Sequence, residues 1–211
     1  MRLIGDVHGK FDRYKKIIKD CPASIQVGDM GVGFRKTQGP RTGEIYSNPP
    51  HYAMVRGDHR FIRGNHDNPG VCRRHTQCIK DGTVDGDMML IGGAFSIDRQ
   101  WRTEGYDWWS DEELSISELN TLVDIYATTR PRIMVTHDCP EVIAPLMAAV
   151  GNFRYVEAAN PSRTRQALQG MLDIHRPEVW IHGHWHVSSD KVIDGTRFVC
   201  LAELEYKEIT G

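Results

Sequence analysis

Two short clusters with the same spacing stand near opposite ends of the chain, Asp6-Val7-His8 and His184-Trp185-His186. Between them come Asp29, the run Asn65-His66-Asp67, and His137. Gly5, Gly28, Gly64 and Gly183 directly precede Asp6, Asp29, Asn65 and His184. Carboxylate, amide oxygen and imidazole are donors that divalent transition metals accept. Asp6, His8, Asp29, Asn65, His137, His184 and His186 supply two carboxylates, one amide and four imidazoles. That set is too large for one tetrahedral zinc and suits two ions that share a carboxylate. Imidazole with carboxylate favours manganese, with iron, nickel, cobalt or zinc as alternatives, over magnesium or calcium. The set contains no thiolate, which argues against a structural zinc.

Two ions roughly 3.5–4 Å apart lower the pKa of a shared water and hold phosphate oxygens between them. Phosphoester hydrolysis is very slow without such help. The expected chemistry is in-line attack on phosphorus by a metal-bridging hydroxide, with a proton delivered to the leaving oxygen. His66, beside the ligand set, is the candidate general acid. Asp67 could orient its ring or raise its pKa. Cys139, next to His137, is discounted as a nucleophile because that histidine is committed to metal.

The elements that must carry these residues follow from hydrophobic patterning. Short apolar segments (Arg2–Ile4, Ser24–Val27, Arg60–Arg63, Met88–Ile91, Arg132–Val135, Val179–Ile181, and one within Lys191–Leu201) have strand length and end in polar clusters. In open α/β sheets, ligands gather beyond the carboxyl ends of strands, so these clusters are expected to share one rim. The two-residue spacing of Asp6 and His8 at a strand end would point both to one side. Phe11, Tyr14, Ile17 and Ile18 fall on one helical face. Ser115 with Glu118 forms a capping-box pattern ahead of Ile116, Leu119, Val123 and Tyr126. Ser162 can cap a helix carrying Leu168, Met171 and Leu172. The class is α/β in a single domain over 1–211. The Gly- and Pro-rich stretch Phe34–Pro50 reads as a long loop, either at the site's rim or as a variable surface segment.

The chain has 211 residues and a net charge of −2, so it lacks the broad basic field of generic nucleic-acid binders. Its five cysteines form no CxxC pair, which favours a reducing compartment. No apolar run approaches the ~18–20 residues that span a bilayer. A cytoplasmic protein without a membrane partner is expected, with nucleic acid only as a substrate.

In order, GDVHG, GDMG, GNHD, THD and HGHWH resemble the calcineurin-like metallophosphoesterase superfamily from Gly5 to His186. The resemblance implies a four-layer α/β/β/α sandwich. It also implies that Asp6, His8 and His186 hold one ion, that Asn65, His137 and His184 hold the other, and that Asp29 bridges them. His66 would contact the phosphate and protonate the leaving group, so Asn65 and His66 count as substrate-binding too. Two departures separate the chain from the protein-phosphatase branch: GDMGVGF lacks the phosphate-binding Arg, and Asp67-Asn68-Pro69 follows the Asn-His pair. Diadenosine tetraphosphatases, which share that Arg, fit less well for the same reason. The implied activity is hydrolysis of a small phosphodiester or phosphomonoester. A nuclease and a serine/threonine-type phosphoprotein phosphatase are the alternatives. A non-catalytic scaffold is argued against by His66 and the full ligand set.

Several residues have two readings. Trp101, Trp108, Trp109 and Tyr106 are either core packing under a loop, which is preferred, or a stacking wall. Arg35, Lys36, Arg41, Arg99 and Arg102 are candidates for meeting a substrate phosphate. His182 reads as a hydrogen-bonded strand histidine, and His51, His59, His75 and His175 as surface or loop residues.

Overall fold

The computed structural model describes residues 1–33, 56–152 and 161–209, together with the backbone of Arg35–Gln38 and Thr42–Tyr46. The elements in chain order are β1 (Arg2–Ile4), α1 (Phe11–Ile18), β2 (Ala23–Gln26), β3 (Arg35–Gln38), β4 (Thr42–Tyr46), β5 (Asp58–Phe61), α2 (Pro69–Cys72), β6 (Thr83–Asp85), β7 (Met88–Ile91) and a 3₁₀ turn (Arg99–Trp101). Then come α3 (Ile116–Thr129), β8 (Ile133–Thr136), α4 (Ala144–Val150), α5 (Arg163–Ile174), β9 (Val179–His182), β10 (Ser189–Ile193), β11 (Thr196–Cys200) and β12 (Tyr206–Glu208).

The strands form a sheet of order β12-β1-β2-β5 and a second of order β10-β11-β9-β8-β7-β6, with β3 and β4 as a separate hairpin. β1, β2 and β5 run parallel, as do β7, β8, β9 and β11; antiparallel β12 closes one end of the first sheet, and antiparallel β10 and β6 close both ends of the second. Strand alternation turns these two sheets into four layers. Leu3, Ile25, Leu90, Val135, Ile181 and Val199 point between the sheets into one core. Their neighbours Met89, Ile91, Met134, Trp180 and Phe198 point outward onto α3, α4 and α5. Ile4 and Phe61 point to the other side, where Phe11, Tyr14 and Ile18 of α1 meet them. Near-continuous apolar strands are what burial on both faces demands, and the architecture is the expected α/β/β/α sandwich.

Local chemistry agrees with most boundaries. Ser115 and Glu118 complete a capping box on α3, and Ser162 Oγ accepts from the Arg165 amide at the start of α5. Leu168, Met171 and Leu172 are buried as expected. The stripe on α3 differs: Leu119, Leu122 and Tyr126 face the core, while Ile116, in the first turn, is exposed. The last apolar segment is two strands. Asp194 (φ 47°) and Gly195 (φ 87°) supply the consecutive left-handed residues of a tight hairpin between β10 and β11. The Phe34–Pro50 stretch carries the β3–β4 hairpin rather than a plain loop. Its side chains, including Arg35, Lys36 and Arg41, lie outside the described residues, as does His51. Among the described residues no helix is long and apolar enough to cross a membrane.

Both parallel sheets present the carboxyl ends of β1, β2, β5, β8 and β9 to one rim. The candidate ligands lie in the loops that leave those ends, so each sheet delivers one part of the set.

Candidate metal centre

The seven predicted ligands come together. Asp6, His8, Asp29 and His186 each place a ligand atom within 4.8 Å of the others. His186 Nε2 lies 2.9 Å from both Asp6 Oδ2 and His8 Nε2. Asp29 stands in the middle with its oxygens divided. Oδ2 is 3.7 Å from His8 Nε2, and Oδ1 is 3.2 Å from His137 Nε2. Asn65 Oδ1 is 3.1 Å from the same His137 nitrogen. The His184 ring packs edge-on against His137, centroids 5.1 Å apart, and its amide donates to Asp6 Oδ1.

Strand alternation is not what aims these side chains. His8, Asp29, His184 and His186 have φ of 48°, 59°, 66° and 53°. Each leaves its strand and turns through the left-handed region, which costs a non-glycine residue on the order of 1 kcal/mol or more. Two glycines make the approach possible. A Cβ on Gly28 (φ 104°) would sit 2.2 Å from His137 Nδ1, and one on Gly64 would sit 2.1 Å from Asp29 Oδ1.

The donor set fits divalent cations. His137 Nδ1 lies 2.9 Å from the Val27 carbonyl oxygen, so that nitrogen carries the proton and donates. Its Nε2 then faces two oxygens, Asp29 Oδ1 and Asn65 Oδ1, an arrangement that needs a proton or a metal cation among them. Donor separations of 2.9–3.7 Å bracket the edges of about 3.0–3.4 Å that bonds of about 2.1 Å would give. Asp6 Oδ2 is buried and faces two imidazole nitrogens, His186 Nε2 at 2.9 Å and His8 Nε2 at 3.7 Å.

Electrostatics say the same. Burial alone would raise the carboxyls of Asp6 and Asp29. The surrounding histidines, led by His186 at Asp6 and His137 at Asp29, hold both well below the usual range. Burial likewise opposes charge on His137, yet Asp29, Asp6 and the Val27 carbonyl push it up to about 10. His8 is also raised against its burial, by Asp6 and Asp29. The pocket calls for positive charge.

His66 sits at the edge, its ring centroid 4.9 Å from that of His8 and its amide donating to Asp29 Oδ1 at 2.7 Å. Its Nε2 is 3.0 Å from Arg102 Nη2. A guanidinium only donates, so that His66 nitrogen accepts. Burial, helped by Arg102 and His8, lowers His66 to about 4. Asp67 does not orient this ring. Its carboxylate accepts the backbone amides of Met30, Gly31, Val32 and Gly64, so it ties the Asp29 and Asn65 loops together.

A cavity of about 280 Å³ opens at the centre, and His66, Phe95, Ile97, Asp98, Arg102, Arg165 and Trp185 are among the residues that line it. Asp98 grips Arg102 through two 2.7 Å bonds. Arg99 lies over the Phe95 ring instead. Asp138, next to His137, accepts from the Trp185 indole at 3.0 Å. Arg165, Asp138 and Trp185 were missed, although the last two adjoin or separate expected ligands. Ser96 and Glu112 were missed as well. Glu112 lies in an acidic run whose composition reads as solvated surface.

Among the residues with two readings, Trp101 is 79% exposed and so is not core packing, while Tyr106, Trp108 and Trp109 are half-buried. His59 is buried within β5, contrary to the surface or loop expectation, while His75 lies in a loop, as expected, but is buried there. Ser24 and the Arg56 carbonyl engage His59, and the Gln77 amide donates to His75 Nδ1. His175 is half-buried beside Tyr126. His182 is fully buried and bonds the Gly183 carbonyl, as a strand histidine should. Burial pushes the Cys139 thiol far up, which leaves it inert.

A calcineurin-like phosphoesterase family model matches residues 2–188. The chain therefore belongs to that family of metal-dependent phosphoric ester hydrolases. No match emerged among curated proteins.

Proposed function

We propose that the protein hydrolyses a small phosphodiester or phosphomonoester at a dinuclear centre, with manganese as the preferred metal. The divided carboxylate of Asp29 carries this reading, since one oxygen serves each half-site. Asp6, His8 and His186 would hold the outer ion and Asn65, His137 and His184 the inner one. Bound there, the ions would supply an activated water and draw charge from the phosphate oxygens.

The chain's own groups do the rest. His66, Arg102 and Arg165 all line the cavity, so a phosphate over the ions meets cationic or hydrogen-donating groups. His66 is uncharged at neutral pH while Arg102 donates to it. An incoming phosphate competes for the Arg102 donors, and its negative charge favours the imidazolium. His66 then has a proton to place on the leaving oxygen. The cavity volume of about 280 Å³ supports a small substrate.

Hydrolysis of nitrophenyl phosphate and bis-nitrophenyl phosphate, assayed side by side with Mn²⁺, tests this. Activity above that of His66→Ala and Asp29→Ala is expected on at least one of the two. Equal rates for all three proteins would sink the proposal.

A further inference from the structure

An asparagine amide serves a cation in one orientation only. Its oxygen must face the ion, and the two ends are nearly identical in shape, so a neighbour has to choose between them. At Asn65 that neighbour is Ser96. Asn65 Nδ2 donates to Ser96 Oγ at 3.1 Å. Ser96 in turn gives both of its protons to one carboxylate: its hydroxyl to Glu112 Oε2 at 2.5 Å and its amide to Glu112 Oε1 at 2.9 Å. A hydroxyl has one proton. With that proton on Glu112, the Ser96 oxygen accepts only, and Asn65 must turn its N–H toward it. The Asn65 oxygen is thereby left facing His137 Nε2.

The relay is sealed and braced. Asn65, Ser96 and Glu112 are each 3% exposed or less, so no bulk solvent replaces a lost partner. Arg63 begins the Arg63-Gly64-Asn65 turn. Its Nη1 donates to the Glu112 carbonyl at 2.6 Å, while its Nε bonds Asp81. Asp81 also receives the Gly92 amide at 2.5 Å. The strap thus closes on the two loops that the relay connects.

We propose that Ser96 and Glu112 are positioning residues for the inner half-site, locking the Asn65 amide with its oxygen toward the ion. The proposal rests on the reading of Asn65 as a ligand. Groups that orient a metal ligand typically contribute about 10- to 100-fold in metal affinity.

The test is Mn²⁺ binding by calorimetry in two backgrounds. His186→Ala isolates the inner half-site, and His137→Ala isolates the outer. Adding Ser96→Ala should weaken the inner ion by about 10- to 100-fold and leave the outer ion unchanged. Glu112→Gln keeps an acceptor for the Ser96 amide but offers no second oxygen to the hydroxyl, so it should weaken the same ion by less. Ser162→Ala breaks a neighbouring buried pair, Ser162 Oγ to Glu113 Oε1 at 2.7 Å. It should lower the melting temperature and change neither affinity. An unchanged inner affinity in both relay variants, or equal losses at the two half-sites, overturns the proposal. If the unsubstituted protein binds no Mn²⁺, the dinuclear reading itself falls, and with it the relay.

Discussion

His137 is fully buried, its Nδ1 held by the Val27 carbonyl, and Asn65 beside it is held by Ser96. Across the Asp29 carboxylate, His186 has 46% of its side chain exposed. The donors proposed for the inner ion are thus built into the sandwich, and those proposed for the outer ion include a histidine that solvent reaches. Donors already fixed in place lose little freedom when an ion arrives. The comparison teaches that two nearly equal donor sets can differ in how much of their geometry is paid for in advance by folding. The inner ion should bind tighter and leave last.

Removing Asp29 breaks both sides at once. Asp29→Ala should lower kcat/KM by about 10³-fold or more, a loss of about 4 kcal/mol in transition-state stabilisation. Retention of even one-tenth of the activity would show that the halves do not share this carboxylate. His66→Ala should spare both ions and cut turnover by about 10²- to 10⁴-fold, least for substrates with good leaving groups. Loss of metal in this variant would move His66 into the ligand set.

His186→Ala and His137→Ala sharpen the contrast. The first should release only the weaker ion on titration, and the second only the tighter. Stepwise dialysis against a chelator should strip the outer ion first, followed by metal analysis of the retained protein.

A smaller effect is expected in the metal-free protein. His137 and His8 have folded pKa values above their unfolded ones. Their contribution to stability is full below pH about 6.5 and is lost as pH rises, for His137 through about 10. Melting temperature should therefore fall across that window without metal. Added Mn²⁺ should remove the alkaline loss, because the ion takes the place of the proton. A flat profile without metal would contradict the charge assigned to His137.

The meeting of the seven candidate ligands is legible in the sequence because each follows a strand in a short polar cluster, and five clusters occur in order. Apolar strand runs likewise made the layers readable. What was hidden depends on long-range approach. Glu112 and Ser96 are far from Asn65 in sequence, and an acid in an acidic run looks like solvated surface. Asp67 was misassigned because adjacency to His66 suggested a partner, whereas the loop turns its carboxylate onto four amides. Asp194-Gly195 is a turn signal inside an apolar segment that otherwise reads as one strand, and the chain forms two strands there. Ile116 keeps the helical period of α3, yet in the first turn it is exposed.

The central claim is that one carboxylate joins two ions. Electron paramagnetic resonance of the protein loaded with two equivalents of Mn²⁺ tests it directly. The account predicts an exchange-coupled spectrum that collapses in Asp29→Ala. Spectra of isolated ions only, in the unsubstituted protein at two equivalents, would contradict it.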